Sequence, residues 1–181
     1  MKSMSRSTTI YSISKELFDE LKSSENRKEI KIHNRVKDYY TFQNSFMGIE
    51  FVLTKNKSEL TKNILNQIFN PTEYLGDFDF ENPDFEEMMD FMESGNYFPY
   101  LSNERVTEIS EIISEINESE LRDKYNATEL NENDIYPNEW TNENIEGESN
   151  NLNHLIEDFS ELKKIIIQAS KAENYLLICS G

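Results

Sequence analysis

The chain has 181 residues, 36% of them hydrophobic and 12% aromatic, enough for one domain with one core that buries about 70% of its unfolded surface. Its net charge of −17 repels nucleic acid and anionic membranes and attracts cations or basic proteins. The single cysteine, Cys179, leaves no intramolecular disulfide to form. No apolar stretch follows Lys2 and Arg6 in the manner of a secretory signal, and no run approaches the ~18 apolar residues of a membrane span. A cytoplasmic location is the expectation.

The charge is unevenly placed. Residues 1–64 balance to +4, residues 65–160 to −22 and residues 161–181 to +1. The middle of the chain is therefore where a charged partner would be met.

In chain order, Ser7 to Ile13 reads as a strand with β-branched Thr8, Ile10 and Ile13. Ser14 is placed to cap a short helix carrying Leu17, Phe18 and Leu21. Ile30, Ile32 and Val36 suggest a strand or an extended crossing. Thr41 could cap a second helix from Phe42 to about Thr54, where Gly48 predicts close packing because glycine costs such a helix ~1 kcal/mol. Ser58 opens a third helix with Leu60, Ile64, Leu65 and Ile68 on its apolar face, ended at Asn70-Pro71.

Residues 70–100 change in texture, with nine acids between Glu73 and Glu93, no basic residue and repeated aromatics. Their prolines and glycines predict a long loop around a short helix at Phe85–Glu93. After Ser102, the residues Val106, Ile109, Ile112, Ile113 and Ile116 recur at helical period, with Glu104, Glu108, Glu111 and Glu115 on the opposite face. A short helix after Ser119 turns Leu121 and Tyr125 inward. Residues 126–150 read as polar and irregular. A long amphipathic helix follows, with Leu152, Leu155, Ile156, Phe159, Leu162, Ile166 and Ala169 along one stripe and a break expected near Ser160. Asn174 to Cys179 reads as a strand buried on both faces, beside the first strand. The fold class expected is α+β: a small mixed sheet including the N- and C-terminal strands, packed with several amphipathic helices.

Tyr100-Leu101-Ser102 leading into Val106–Ile116, Glu120-Leu121-Arg122 with Tyr125, Ile135-Tyr136-Pro137 with Trp140, and the long helix before a closing apolar strand resemble the YfbM-like family of bacterial proteins, a domain of unknown function. Ser14 to Leu17 and Phe46 to Thr54 are similar too. Related sequences tend to carry Trp and His where Phe46 and Glu50 stand. The resemblance implies a single α+β domain over residues 1–181, with the acidic segment at about 70–100 as an insert. It supplies no reaction, and so no catalytic residue.

Two surfaces stand out as partner-binding candidates. One is the row Glu104, Glu108, Glu111 and Glu115, whose i,i+4 pairs repel without a lysine at either spacing. The other is the insert, with Glu73, Asp77, Asp79, Glu81 and Asp84 interleaved with aromatics that could anchor a cationic surface. The bland alternative has Phe78, Phe80, Phe85 and Phe91 tucked onto the core and the acids in water. A calcium loop through Asp77, Asp79 and Glu81 fails, since Asn82 stands at the glycine position and Met88 at the bidentate acid. His33 and His154 are too few for a transition-metal site. His154 is expected at the solvated side of its helix, Cys179 as an inert thiol, and Trp140 as the pin of a loop.

These features favour a non-catalytic domain that engages a basic protein, for example as an immunity protein, an antitoxin or a DNA mimic, without cofactor, metal, nucleic acid or membrane. The alternative is a carboxylate-based hydrolase or transferase whose acid and base come from Asp77, Asp79, Glu81 and Asp84.

Overall fold

In the computed structural model, which describes residues 6–76, 78, 84–145 and 147–181, the two ends of the chain meet at the centre of a sheet. Strand β1 (Ser7–Ile13) pairs on one side with β2 (Tyr39–Gln43) and on the other with β5 (Tyr175–Ser180). Beyond β5 lie β4 (Phe98–Leu101) and β3 (Glu73–Leu75), giving the order β2-β1-β5-β4-β3. The four pairings are antiparallel. The fold is α+β as expected, although the sheet is antiparallel throughout where a mixed one was anticipated.

Strand alternation divides the core into two layers. Ile10, Phe42, Leu101, Leu176 and Ile178 face the larger one. Ile13, Leu75 and Leu177 face the smaller one. Leu176, Leu177 and Ile178 are all buried, which is why β5 reads as a continuous apolar run.

The smaller layer is closed by α1 (Lys15–Ser23), whose first turn is capped by Ser14 accepting from the Leu17 N–H. Phe18 stacks on Tyr175 at 3.9 Å between centroids and meets Tyr100 edge-on at 4.9 Å. Residues 27–35, where a strand or an extended crossing was expected, are largely helical instead. They make a 3₁₀ turn at Arg27–Glu29 and a short helix, α2 (Ile32–Arg35), which buries Ile32 against α1.

The larger layer holds the remaining long helices. Helix α3 (Phe46–Thr54) begins later than expected, because Tyr39–Gln43 pairs with β1 instead of joining the helix. Helix α4 (Glu59–Asn66) is capped by Ser58 and buries Ile64 and Leu65, but Leu60 is exposed. The segment read as a long loop around a short helix has that helix, α5 (Phe85–Glu93), but also contributes β3 and β4 to the sheet on either side of it. Helices α6 (Asn103–Glu115) and α7 (Glu118–Lys124) follow. Within the stretch read as irregular, α8 (Ala127–Glu132) forms on an Asn126 cap and buries Ala127 and Leu130. Helix α9 (Leu152–Lys171) runs unbroken through Ser160 and packs along α6. Its Lys163 Nζ donates to the Ser114 and Ile116 carbonyls at 2.9 and 2.8 Å, placing a cation at the negative end of α6.

No helix among the described residues is long and apolar enough to cross a membrane.

Candidate functional site

The phase of α6 is fixed at its start. Ser102 accepts the Arg105 N–H at 3.4 Å, and Val106, Ile109 and Ile113 then turn fully into the core. Glu104, Glu111 and Glu115 are consequently turned to solvent, and none has an ion pair among the described residues. Glu108 differs from its neighbours. It is half-buried and paired with Arg105 one turn before it. The expected row of four unrelieved glutamates is therefore a row of three, because the relieving cation is an arginine at i,i+3.

The acids of the 70–100 segment are dispersed. Glu73 lies exposed on edge strand β3 and accepts from the Tyr100 hydroxyl at 3.4 Å. Asp84 caps α5, accepting the Glu86 N–H at 2.9 Å. That duty satisfies a helix donor and leaves Asp84 exposed. Asp77, Asp79 and Glu81, three of the four acids considered for an acid–base pair, lie outside the described residues. Among the described residues, no cluster of three His, Cys, Asp or Glu side chains has the geometry to hold a metal ion.

Among the described residues, the two acidic groups sit on different elements. Helix α6 belongs to the larger layer. Helix α5 ends against the smaller one: Lys28 lies at Gly95, its N–H donates to Asn96, and Met92 shares a cleft with Phe98 and Cys179.

Among the described residues, the Phe91 ring packs α5 onto its neighbours. Phe91 stacks on Phe78 at 5.0 Å, meets Tyr97 edge-on at 5.7 Å and covers Gly76. Gly76 has φ +143°, and a Cβ there would collide with the Phe91 ring, so both backbone and packing require glycine. The ring expected to help tuck this segment down, Phe85, is instead 71% exposed, with Met89 and Met92 exposed on the same face. Phe80 lies outside the described residues.

A polar cluster the sequence reading missed sits under α9. Asp158 is only 3% exposed. It accepts from the Tyr40 hydroxyl at 2.6 Å and from the Ser45 hydroxyl, and His154 Nε2 stands 3.5 Å from its second oxygen. His154 Nδ1 accepts the Asn150 N–H at 3.2 Å, which leaves the ring proton on Nε2, toward the carboxylate. The Tyr40 phenol is pushed well above its ordinary range by burial first, then by its bond to Asp158 and the nearby carboxylates. A hydrolytic triad needs the imidazole between hydroxyl and carboxylate. Here Ser45 and His154 both reach the same carboxylate, and Ser45 is fully buried. The cluster ties α9 to β2 and to the start of α3. It was legible in principle, since Asp158 falls on the stripe of Leu155, Phe159 and Leu162. His154, expected in solvent, is half-buried by this pairing.

Trp140 pins its loop as expected. Its indole N–H donates to the Ile135 carbonyl at 2.9 Å and its ring is buried over α3. Burial pushes the Cys179 thiol up to about 11, so little thiolate is present at neutral pH. Glu50 is half-buried and accepts from Asn70 at 3.0 Å, and its carboxyl is raised chiefly by burial. The most voluminous cleft described, about 770 Å³, lies between Arg6, Phe46, Phe69, Tyr136 and Gly181. It holds no pair of titratable groups arranged for acid–base work.

The comparisons with known proteins agree on fold and are silent on activity. A family model for a domain of unknown function, DUF1877, matches residues 4–179. The crystal structure of YfbM from Escherichia coli, a protein of unknown function, superposes with a TM-score of 0.59 at 16% identity, covering 95% of this chain and 98% of that one. No curated protein matches the sequence.

Proposed function

Since the chain belongs to the DUF1877 family, whose description assigns no reaction to carry over, we propose a function from the surface itself: a non-catalytic domain that engages a basic protein. The observation that carries this reading is the exposed, unpaired row of Glu104, Glu111 and Glu115 on α6. Like charges at helical spacing cost a few tenths of a kcal/mol per pair, and a cationic partner converts that repulsion into attraction. Long-range charge would speed and orient the encounter, and added salt would weaken it.

The 70–100 segment supports the same reading from another side of the molecule. No lysine or arginine lies between Lys62 and Arg105, while Glu73, Asp84, Glu86, Glu87 and Asp90 are exposed there. Asp77, Asp79 and Glu81 add to that charge by sequence. Neutralising a toxin with a cationic active surface, as an immunity protein or antitoxin does, is one form this engagement would take. Mimicry of the DNA backbone is another.

The test is affinity capture from lysate of the source cells at low salt. The wild-type protein is compared with a variant carrying Glu104→Gln, Glu111→Gln and Glu115→Gln. The reading expects a discrete basic protein on the wild type, released by salt and depleted on the variant. Equal retention by both proteins, or retention indifferent to salt, would overturn it.

A further inference from the structure

Helix α5 presents an apolar ridge that is exposed among the described residues. Phe85, Met89 and Met92 recur at i, i+4 and i+7 and are 71%, 38% and 43% exposed. On a helix this spacing makes one line about 10 Å long. The ridge is an independent feature of the fold, because α5 is already anchored by Phe91 on its other side.

The ridge continues into a groove. Strands β4 and β5 are paired only at Tyr100 with Leu177 and Leu101 with Leu176, although β4 starts at Phe98 and β5 runs on to Ser180. Beside the unpaired stretch lies a cleft of about 310 Å³ lined by Met92, Tyr97, Phe98, Pro99, Ile178 and Cys179. Met92 is therefore both the end of the ridge and a wall of the groove. Exposed apolar side chains in such a continuous arrangement mark interaction sites, and methionines adapt their shape to what covers them.

Charge selects the occupant. Glu86 and Asp90 lie along one side of the ridge and are exposed, with Asp84 at its N-terminal end. Lys28 packs at Gly95, beyond the C-terminal end. An apolar line with carboxylates along one side fits a partner with an apolar face and a positive flank.

We propose that the α5 ridge and the β4–β5 groove are the docking site for a basic amphipathic helix of the partner protein. This rests on the reading of the domain as a binder of basic proteins, and it adds an apolar contact on α5 to the charged one on α6. The partner helix would lay its apolar face along Phe85, Met89 and Met92, side chains between side chains. Its lysines or arginines would meet Glu86, Asp90 and Asp84, adding specificity and on-rate. An apolar residue from it would fill the groove beside Phe98.

The test uses a synthetic leucine–lysine peptide of about 14 residues, long enough to cover the ridge when helical, and a scrambled peptide of the same composition with no apolar face. Binding to the full chain is measured by titration calorimetry at low salt. The variants are Phe85→Gln with Met89→Gln, which keeps charge and helix propensity, and the triple glutamine variant of α6. The expected result is preference for the amphipathic peptide, weakened roughly tenfold or more in the α5 variant and nearly unchanged in the α6 variant. Equal affinity for both peptides, or no effect of the α5 variant, overturns the docking site. If the capture experiment still yields a salt-released basic protein, only the location has failed; if it does not, the wider reading has failed. A concentration-dependent dimer in sedimentation, abolished by the α5 variant, would also overturn the proposal by assigning the ridge to a second copy of the chain.

Discussion

The Trp140 ring lies directly on Gly48, so close that a Cβ at residue 48 would overlap two of its ring carbons. Glycine inside α3 is thus a packing requirement: the tryptophan, buried to 4% exposure, enters where α3 has no side chain. Replacing Gly48 by alanine should gain ~1 kcal/mol of helix propensity and lose more through overpacking, commonly 1–3 kcal/mol. The variant is expected to melt at lower urea concentration than the wild type, with tryptophan fluorescence shifted to the red as Trp140 is displaced. A variant as stable as wild type would mean that the ring has room to move.

The Asp158 cluster should be structural. Asp158→Ala leaves the Tyr40 and Ser45 hydroxyls without their acceptor in the core. The expected loss is about 2–4 kcal/mol, since hydrogen bonds to charged groups contribute more than neutral ones. Denaturant unfolding checks the size of the effect. Binding of the leucine–lysine peptide by the folded fraction should be unchanged, because the cluster lies under α9 and α5 is elsewhere.

Glu50 should make stability depend on pH. Burial raises its carboxyl in the folded state, so between the ordinary glutamate value and the raised one the folded protein holds more of the proton than the unfolded chain. Its contribution is therefore present at low pH and is lost as pH rises through the raised value. Glu50→Gln keeps an acceptor for Asn70 and removes the charge. The variant should be more stable than wild type at neutral pH, with the advantage shrinking as pH falls from the raised value toward the ordinary one. Melting temperatures of both proteins across pH 4 to 7, roughly the window of a shifted carboxyl, decide it; an advantage that does not change with pH contradicts the assignment.

What could be read from the sequence was what is locally encoded. Ser14, Ser58 and Ser102 each cap the helix they precede, and the isoleucines of α6 announced its buried face by spacing alone. The apolar run of β5 beside β1 was likewise legible. The errors came where a long-range partner decides. Tyr39–Gln43 resembles a capped helix start until β1 is there to pair with it, and β3 and β4 are three- and four-residue strands that exist because β5 extends the sheet to them. The acid rows were visible in sequence. That they sit on different layers was not, because α5 and α6 are separated by the strand that carries the chain across. The exposed α5 ridge was hidden for a related reason: in an aromatic-rich segment nothing local distinguishes Phe91, which anchors the helix, from Phe85, which does not.

The most direct measurement is the salt dependence of binding to the basic partner recovered by capture, for the wild type and the variant lacking charge at Glu104, Glu111 and Glu115. The dissociation constant should rise steeply with ionic strength for the wild type and less steeply for the variant. Two superimposable curves, or a wild-type affinity indifferent to salt, would contradict a function carried by this acidic surface.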